Sequence, residues 1–244
     1  MENSVTHKSQ GHRKRLRERF LDSGLSGFQD YEVIELLLTL ATPRKDCKEA
    51  AKAVLKQFKT LQGVFEASSY ELSKIDGIGP SNQLGLRLIK ETAVRYLGSS
   101  LINQDPIKHS KDLINYLNMA IRDRTRECFV AVFLNAKNKV IASETLSTGT
   151  LTASSVYPRE VVQSALDHKA AAVIFAHNHP SGDPTPSPED ISITRQLVFA
   201  LKLMEITVHE HLVIGAGGHF SFAESGYIAL FKQEFNEKHK VCEP

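Results

Sequence analysis

The sequence contains no tryptophan and only three cysteines in 244 residues, and the shortage of cysteine removes several kinds of site. Cys47, Cys128 and Cys242 have no paired spacing, so they predict neither a disulfide framework nor a thiolate zinc site. An odd number of cysteines is typical of a reducing compartment. The chain also lacks a Cys-x-x-Cys motif, which zinc deaminases use, so deamination of a base is a weak interpretation.

Long hydrophobic runs are also missing. No apolar run approaches the roughly 20 residues needed to span a bilayer, and no signal-peptide pattern opens the sequence. We therefore expect a soluble cytoplasmic protein with no membrane partner. The net charge is only +2, but residues 1–100 carry 16 Lys and Arg against 12 Asp and Glu. That excess permits contact with nucleic acid without requiring it.

Helical periodicity and turn signals divide the sequence into two parts. Residues 11–97 show helical patterns and no strand pattern, which predicts an all-α domain over 1–100, with residues 1–10 disordered. Gly, Ser, Asn and Pro interrupt the periodicity next, so we place a linker at 101–108. Residues 109–232 mix helix and strand patterns, which indicates an α/β sandwich around one sheet. Residues 233–244 form a polar tail in this two-domain α+β prediction.

The most informative stretch follows an apolar run, Ala170 to Ala176, which predicts a buried strand. His177 and His179 leave that strand at positions i and i+2, so their side chains point to the same side. The loop that follows is stiff, because it holds four prolines and each fixes its own φ angle. Ser187 is predicted as a helix N-cap, which brings Asp190 into the first turn of the next helix.

Two imidazoles and one carboxylate can therefore converge on one point. They form the ligand set of a catalytic zinc ion, whose fourth position stays open for water. Either half of the pattern is weak alone, since Ser187-x-x-Asp190 is also typical of a helix-capping pair. Together, the spacings predict a Zn²⁺ site formed by His177, His179 and Asp190.

A zinc hydrolase also needs a general base that does not bind the metal. Glu127 is our candidate, because it stands at the entrance to an apolar strand pattern, Cys128 to Leu134. The alternative is that Glu127 is a solvated strand end. Glu144 and Glu160 are rival bases that the sequence does not exclude.

In the helical half, Leu72 to Gly79 resembles a helix-hairpin-helix motif. Its two glycines suit a tight turn with unusual backbone angles. Bare amides at the start of the next helix could then bind a phosphate, independently of base sequence. We take Gly77, Ile78, Gly79 and Lys74 as candidate contacts with a DNA backbone. The alternative is a plain helical hairpin with glycine at its corner.

The order of the motifs in the second half resembles a JAB1/MPN/Mov34 metalloenzyme (JAMM) domain: Glu127, then His177-x-His179-Pro180, then Ser187-x-x-Asp190. The stretches Ser154 to Val162 and His177 to Gly182 further resemble the bacterial RadC family, and the likeness covers nearly all of residues 15–230. That family joins an N-terminal helix-hairpin-helix region to a C-terminal JAMM domain. The resemblance implies the same order here, with the second domain of the cytidine-deaminase-like type.

The resemblance also implies roles. His177, His179 and Asp190 match zinc ligands. Glu127 matches the glutamate that takes a proton from the attacking water and returns it to the leaving amine, and Ser187 matches the serine thought to stabilise the oxyanion. The implied activity is zinc-dependent hydrolysis of a peptide or isopeptide bond in an unidentified peptide or protein.

Two departures and one alternative function remain. Asn178 stands where JAMM peptidases commonly have Ser or Thr, although RadC-like chains share this Asn. His209-x-His211 could mimic a second metal pair, but we interpret it as a core or strand-edge pair, because no carboxylate with loop spacing follows. The alternative function is a repair or recombination factor, whose first domain binds non-specific DNA and whose zinc domain is a nuclease or a scaffold.

Overall fold

The computed structural model of this protein describes residues 5–43, 45–102, 110–149 and 156–239. Contacts divide the chain into two units, residues 1–93 and 94–244, and the division falls inside a helix. No helix among the described residues is long and apolar enough to cross a membrane.

The first unit is helical, as predicted. Its elements are α1 (Val5–Ser23), α2 (Asp30–Ala41), α3 (Lys48–Phe58), α4 (Leu61–Glu66), α5 (Ser69–Ser73) and α6 (Pro80–Leu101), the last of which continues into the second unit. Apolar side chains at helical spacing form its core: Ile34, Leu38, Ala51, Val54, Val64 and Leu72. This stripe of each helix faces the core because a helix repeats every 3.6 residues.

Helix α1 begins at Val5, inside the stretch 1–10 for which we predicted disorder. No proline or glycine lies between Val5 and Gln10. Once a helix is nucleated, adding a residue without a breaker is inexpensive, since nucleation carries the main cost. At the other end of this unit, α6 runs on to Leu101, and residues 103–108 of the predicted linker lie outside the described residues.

The second unit contains one mixed sheet with helices on both faces, which confirms the general architecture predicted for it. Its further elements are α7 (Ser110–Ile121), β1 (Cys128–Leu134), β2 (Val140–Thr148), α8 (Pro158–Asp167), β3 (Ala172–Asn178), α9 (Pro188–Leu203), β4 (Thr207–Gly215), β5 (Gly218–Ser221) and α10 (Tyr227–His239). Helices α8, α9 and α10 pack on one face of the sheet, and α7 packs on the other.

The strand order is β2-β1-β3-β4-β5. Among the strands that the structure describes, only β3 and β4 pair in parallel, and α9 connects them. The other three pairs are antiparallel. All seven residues of β3 are buried, as expected of a central strand covered on both faces. The chain leaves this strand at its carboxyl end, and the predicted ligands lie there.

The predicted polar tail at 233–244 is wrong in part, because α10 extends to His239. Ile228, Phe231 and Phe235 are buried at spacings of three and four residues. That spacing places them on one side of a helix, where the first two join the core beneath the sheet. Residues 240–244 lie outside the described part of the chain.

Candidate metal centre

Strand β3 positions the two histidines. It continues two residues past its predicted end, so His177 lies within the strand and His179 lies just beyond it. The backbone amide of His179 still donates to the carbonyl of Ile214 at 2.9 Å, which extends the pairing with β4. His177 is buried and His179 is half-buried. The histidines therefore lie on one side, as the strand period requires.

The loop between β3 and α9 returns to the sheet through close backbone contacts. Gly182 has a φ of +87°, which favours glycine, and its carbonyl accepts from the amide of Ala216 at 2.8 Å. A β-carbon on Gly215 would lie 2.4 Å from the carbonyl oxygen of Gly182, so only glycine permits this approach. The carbonyl of Asp183 lies 2.8 Å from His179 Nδ1, which turns Nε2 of that ring toward Asp190.

Helix α9 supplies the carboxylate. Ser187 is its N-cap and forms a capping box with Asp190: the amide of Asp190 donates to Ser187 Oγ at 3.1 Å. In return, Asp190 Oδ2 accepts from both the amide and the hydroxyl of Ser187, each at 2.7 Å. The cap thus fixes the direction in which the carboxylate points.

The three candidate ligands meet at one point. His177 Nε2 lies 3.1 Å from His179 Nε2 and 3.2 Å from Asp190 Oδ1, and His179 Nε2 lies 3.2 Å from Asp190 Oδ2. Tetrahedral zinc with bonds of about 2.0–2.1 Å separates its ligand atoms by about 3.3 Å, so the spacing fits. The structure therefore brings His177, His179 and Asp190 into a cluster that could hold a metal ion.

The same contacts shift the ionisation of two ligands. Burial acts to raise the pKa of Asp190, but its close contacts with the imidazoles of His177 and His179 outweigh burial and hold the pKa of Asp190 well below its usual range. The hydrogen bond to Asp190 raises the pKa of His179, against the opposing effect of burial. The carboxylate is thus held in its charged form, which is the form that binds a cation.

Glu127 stands directly before β1 and faces this cluster. Strand β1 pairs antiparallel with β3, and Phe129 lies opposite His177, so the residue two before Phe129 comes level with His179. Burial raises the pKa of Glu127, and the charges of His177, Asp190 and His179 also act on it. A carboxyl group with a raised pKa beside a metal site suits acid–base chemistry.

The rival bases lie elsewhere. Glu144 is an exposed residue in the middle of β2, and its carboxylate accepts from the hydroxyl of Ser164 at 2.6 Å. Glu160 is exposed in the first turn of α8, 3.8 Å from the guanidinium of Arg159. These positions favour Glu127 over both.

Asn178, between the two histidines, points away from the cluster and fastens the segment that carries Glu127. Its Oδ1 accepts from the amide of Cys128 at 2.8 Å, and its Nδ2 donates to the carbonyls of Arg124 and Arg126 at 3.0 and 3.3 Å. Asn178 is fully buried. The sequence showed this Asn as a departure from the JAMM pattern but did not reveal its partners.

Sequence reasoning missed the position of His211. A one-residue bulge at His209 interrupts the pairing of β4 with β3, since Val173 lies opposite Val208 but Ile174 lies opposite Glu210. The bulge turns His211 to the same face as His177, where His211 Nε2 lies 2.8 Å from His177 Nδ1. His209 instead contacts Asn138 Oδ1 at 3.0 Å. The two histidines of His209-x-His211 therefore serve different neighbours, as expected of a core or strand-edge pair.

The candidate DNA contacts surround the turn between α5 and α6. Gly77 has a φ of +87°, as a tight turn requires. Ile78 is buried in the core of the first unit, and the amide of Gly79 donates to Asn82 Oδ1 at 3.2 Å. Lys74 is exposed, with its Nζ 4.1 Å from the centre of the Tyr70 ring.

Part of the basic character of α1 is used inside the first unit. Arg19 lies 2.8 Å from Glu32, and Arg13 donates to carbonyl groups at the end of α2, including that of Thr39 at 3.3 Å. His12 Nε2 lies 2.9 Å from the fully buried Glu35. These side chains dock α1 on α2, so fewer positive charges remain for an external partner.

Comparisons with known proteins cover both units. A family model described as a RadC-like JAB domain matches residues 107–227, and one described as UPF0758 N-terminal matches residues 8–84. A UPF0758 protein of Fusobacterium nucleatum subsp. nucleatum is 42% identical over 227 residues, which cover 90% of this chain and 98% of that protein.

Proposed function

This chain belongs to the UPF0758 family of RadC-like JAB domain proteins, and we propose that it is a zinc-dependent hydrolase of peptide or isopeptide bonds. The observation that carries the proposal is the convergence of His177, His179 and Asp190 within 3.2 Å, with Glu127 beside them. Two imidazoles and a carboxylate suit zinc, whereas magnesium and calcium prefer oxygen ligands.

Each residue has a task in this proposal. His177, His179 and Asp190 would hold the zinc ion, which would lower the pKa of a bound water to about 7 and polarise the carbonyl under attack. Glu127 accepts a proton from the attacking water at its carboxylate and passes it to the leaving amine. Its raised pKa suits both steps, because the carboxyl group must hold the proton in between.

Ser187 has two possible tasks, and the contacts support one of them directly. Its hydroxyl donates to Asp190 Oδ2 and so orients a ligand. To stabilise an oxyanion as the resemblance implies, the same hydroxyl would have to exchange that hydrogen bond for one to the substrate. We propose that it holds the carboxylate before the reaction and turns toward the oxyanion during it.

Two measurements test the proposal. Elemental analysis should find one zinc ion per wild-type chain and a strongly reduced content in His177→Ala. Stoichiometric zinc in that variant would count against the site, and iron in place of zinc would indicate Fe(II) chemistry, since oxygenases use the same donor set.

The activity is measured with zinc-loaded protein on libraries of fluorogenic peptides and of lysine-linked isopeptides. We expect cleavage by the wild type and a loss of about 10²-fold or more in Glu127→Gln, which should keep its zinc. Glu144→Gln is the matched control and should cleave normally. Nicking of plasmid DNA without any peptide cleavage would instead favour a nuclease.

As a second proposal, the first unit binds DNA non-specifically through a helix-hairpin-helix at the α5–α6 turn. The positive φ of Gly77 and the exposed side chains of Lys74 and Arg87 support it. Anisotropy of a labelled duplex with the full chain should show affinity that falls steeply with salt, and Lys74→Glu should weaken it. The absence of binding at low salt would exclude this partner.

A further inference from the structure

His211 is fully buried beside the candidate metal centre without belonging to the cluster. Its ring is surrounded by aromatic side chains, with the centroids of Phe129, Phe175 and Phe222 at 5.2, 6.1 and 5.0 Å. Among the described residues, its two ring nitrogens have two hydrogen-bond partners: His177 Nδ1 at 2.8 Å and Thr194 Oγ1 at 2.6 Å.

The direction of these hydrogen bonds is set by a third one, between the hydroxyl of Thr194 and the backbone of Asp190. Thr194 Oγ1 lies 2.5 Å from the backbone carbonyl oxygen of Asp190. A carbonyl can only accept, so the hydroxyl must donate its one proton there. Its oxygen then accepts from His211, which must carry its proton on Nδ1.

The proton on His211 Nδ1 also fixes the direction of the hydrogen bond between His211 and His177. A neutral imidazole has one N–H, so His211 Nε2 is an acceptor and His177 Nδ1 must donate to it. The lone pair of His177 is then on Nε2, the atom that lies 3.2 Å from Asp190 Oδ1. With the opposite polarity, His177 Nε2 would carry a proton and could not bind a metal.

We propose that Thr194 and His211 are positioning residues that hold His177 in the Nδ1–H tautomer, so that its Nε2 is ready to accept a divalent cation. The inference rests on the proposed metal site. The hydrogen bonds also link two of the proposed ligands, because the series that begins at His177 ends on the backbone carbonyl of Asp190. A buried acceptor of this kind typically orients a metal-bound imidazole and affects metal affinity 10- to 100-fold.

Two variants at position 194 and one at position 211 test the proposal. Thr194→Val keeps the branched shape but removes the hydroxyl, so the tautomers of His211 and His177 lose their fixed direction. Thr194→Ser keeps the hydroxyl and is the matched control. His211→Phe retains an aromatic ring among Phe129, Phe175 and Phe222 but removes the acceptor. Thermal unfolding establishes that each variant is folded before it is compared.

The first measurement needs neither metal nor substrate. Long-range ¹H–¹⁵N spectra of the metal-free protein at pH 8 distinguish the Nδ1–H from the Nε2–H tautomer of each histidine. We expect His177 as Nδ1–H in the wild type and in Thr194→Ser, and a mixture in Thr194→Val. Finding His177 as Nε2–H in the wild type, or unchanged in Thr194→Val, would overturn the inference.

The second measurement is the zinc affinity, obtained by competition with a chromophoric chelator. Thr194→Val and His211→Phe should bind zinc about 10- to 100-fold more weakly, whereas Thr194→Ser should stay within about threefold of the wild type. Equal affinity in Thr194→Val would contradict the inference. Because neither measurement uses a substrate, a failure of the proposed hydrolysis leaves this result unaffected and can be recognised separately.

Discussion

Replacing Asn178 by alanine should destabilise the second unit without removing a metal ligand. The amide makes three hydrogen bonds to the segment that precedes β1, with Cys128, Arg124 and Arg126. Each is worth about 1 kcal/mol net, so the loss amounts to about 3 kcal/mol. For a unit of this size, 1 kcal/mol corresponds to about 2–4 °C in the midpoint of thermal unfolding. We therefore expect a decrease of about 6–12 °C.

Asn178→Asp is the matched control. It keeps the volume and the oxygen that accepts from Cys128, but it sets a carboxylate oxygen against the carbonyls of Arg124 and Arg126. Facing acceptors repel each other, and a buried charge that keeps one donor, the amide of Cys128, is costly. At neutral pH this variant should be at least as unstable as Asn178→Ala, and it should recover as the new carboxyl group is protonated.

Urea unfolding monitored by circular dichroism gives the free energy of unfolding. The turnover rate reports whether Glu127 is still held in place. The zinc content of Asn178→Ala should remain close to one, whereas its turnover should fall, because the segment that holds the base is released. An alanine variant within about 0.5 kcal/mol of the wild type, or an aspartate variant more stable than the alanine variant, would refute this reasoning.

Three further predictions concern other parts of the second unit. Burial raises the pKa of Glu127, so this pKa is higher in the folded than in the unfolded protein. The neutral carboxyl group therefore contributes to stability at low pH, and this contribution is lost as the pH rises through the folded pKa. Metal-free Glu127→Gln should therefore melt above the wild type at pH 7, and the difference should vanish below about pH 4; a lower melting point at pH 7 would contradict this. Ser187→Ala should cost about 1 kcal/mol through the lost N-cap and weaken zinc binding about 10-fold, whereas Ser187→Thr should keep most of both in calorimetry and chelator competition. Phe231→Ala, at a buried position of α10, should cost about 3–5 kcal/mol in urea unfolding, while Leu230→Ala, on the exposed side, should cost less than 1 kcal/mol; equal losses would show that α10 does not pack as described.

The three candidate ligands could be found from the sequence because local geometry positions them. The period of a strand aligns His177 with His179, and a helix N-cap at Ser187 orients Asp190 three residues later. Both relations act over a few residues and leave a visible pattern. The helices of the first unit and the strands of the second could be predicted for the same reason.

The supporting residues could not be found in this way, because long-range pairing positions them. His211 reaches His177 only through the bulge at His209, and a shift of one residue in a strand moves every following side chain to the other face. The partners of Asn178 lie about 50 residues earlier in the chain. Neither relation leaves a periodic signal.

The missed part of α10 has a different cause. Ile228, Phe231 and Phe235 show helical spacing, but charged and amide residues separate them, and that polar composition is also typical of a solvated tail. Their burial shows that three well-spaced apolar residues were enough to attach the helix to the core.

The central claim is that His177, His179 and Asp190 bind one zinc ion beside Glu127. A crystal structure with anomalous diffraction recorded on both sides of the zinc absorption edge tests this claim most directly. We predict one anomalous peak about 2.0–2.1 Å from both imidazole Nε2 atoms and from a carboxylate oxygen of Asp190, with a water molecule on the open side within hydrogen-bond distance of Glu127. Zinc-soaked crystals without a peak at this position, or with Glu127 directed away from it, would show that these residues do not form the proposed zinc site.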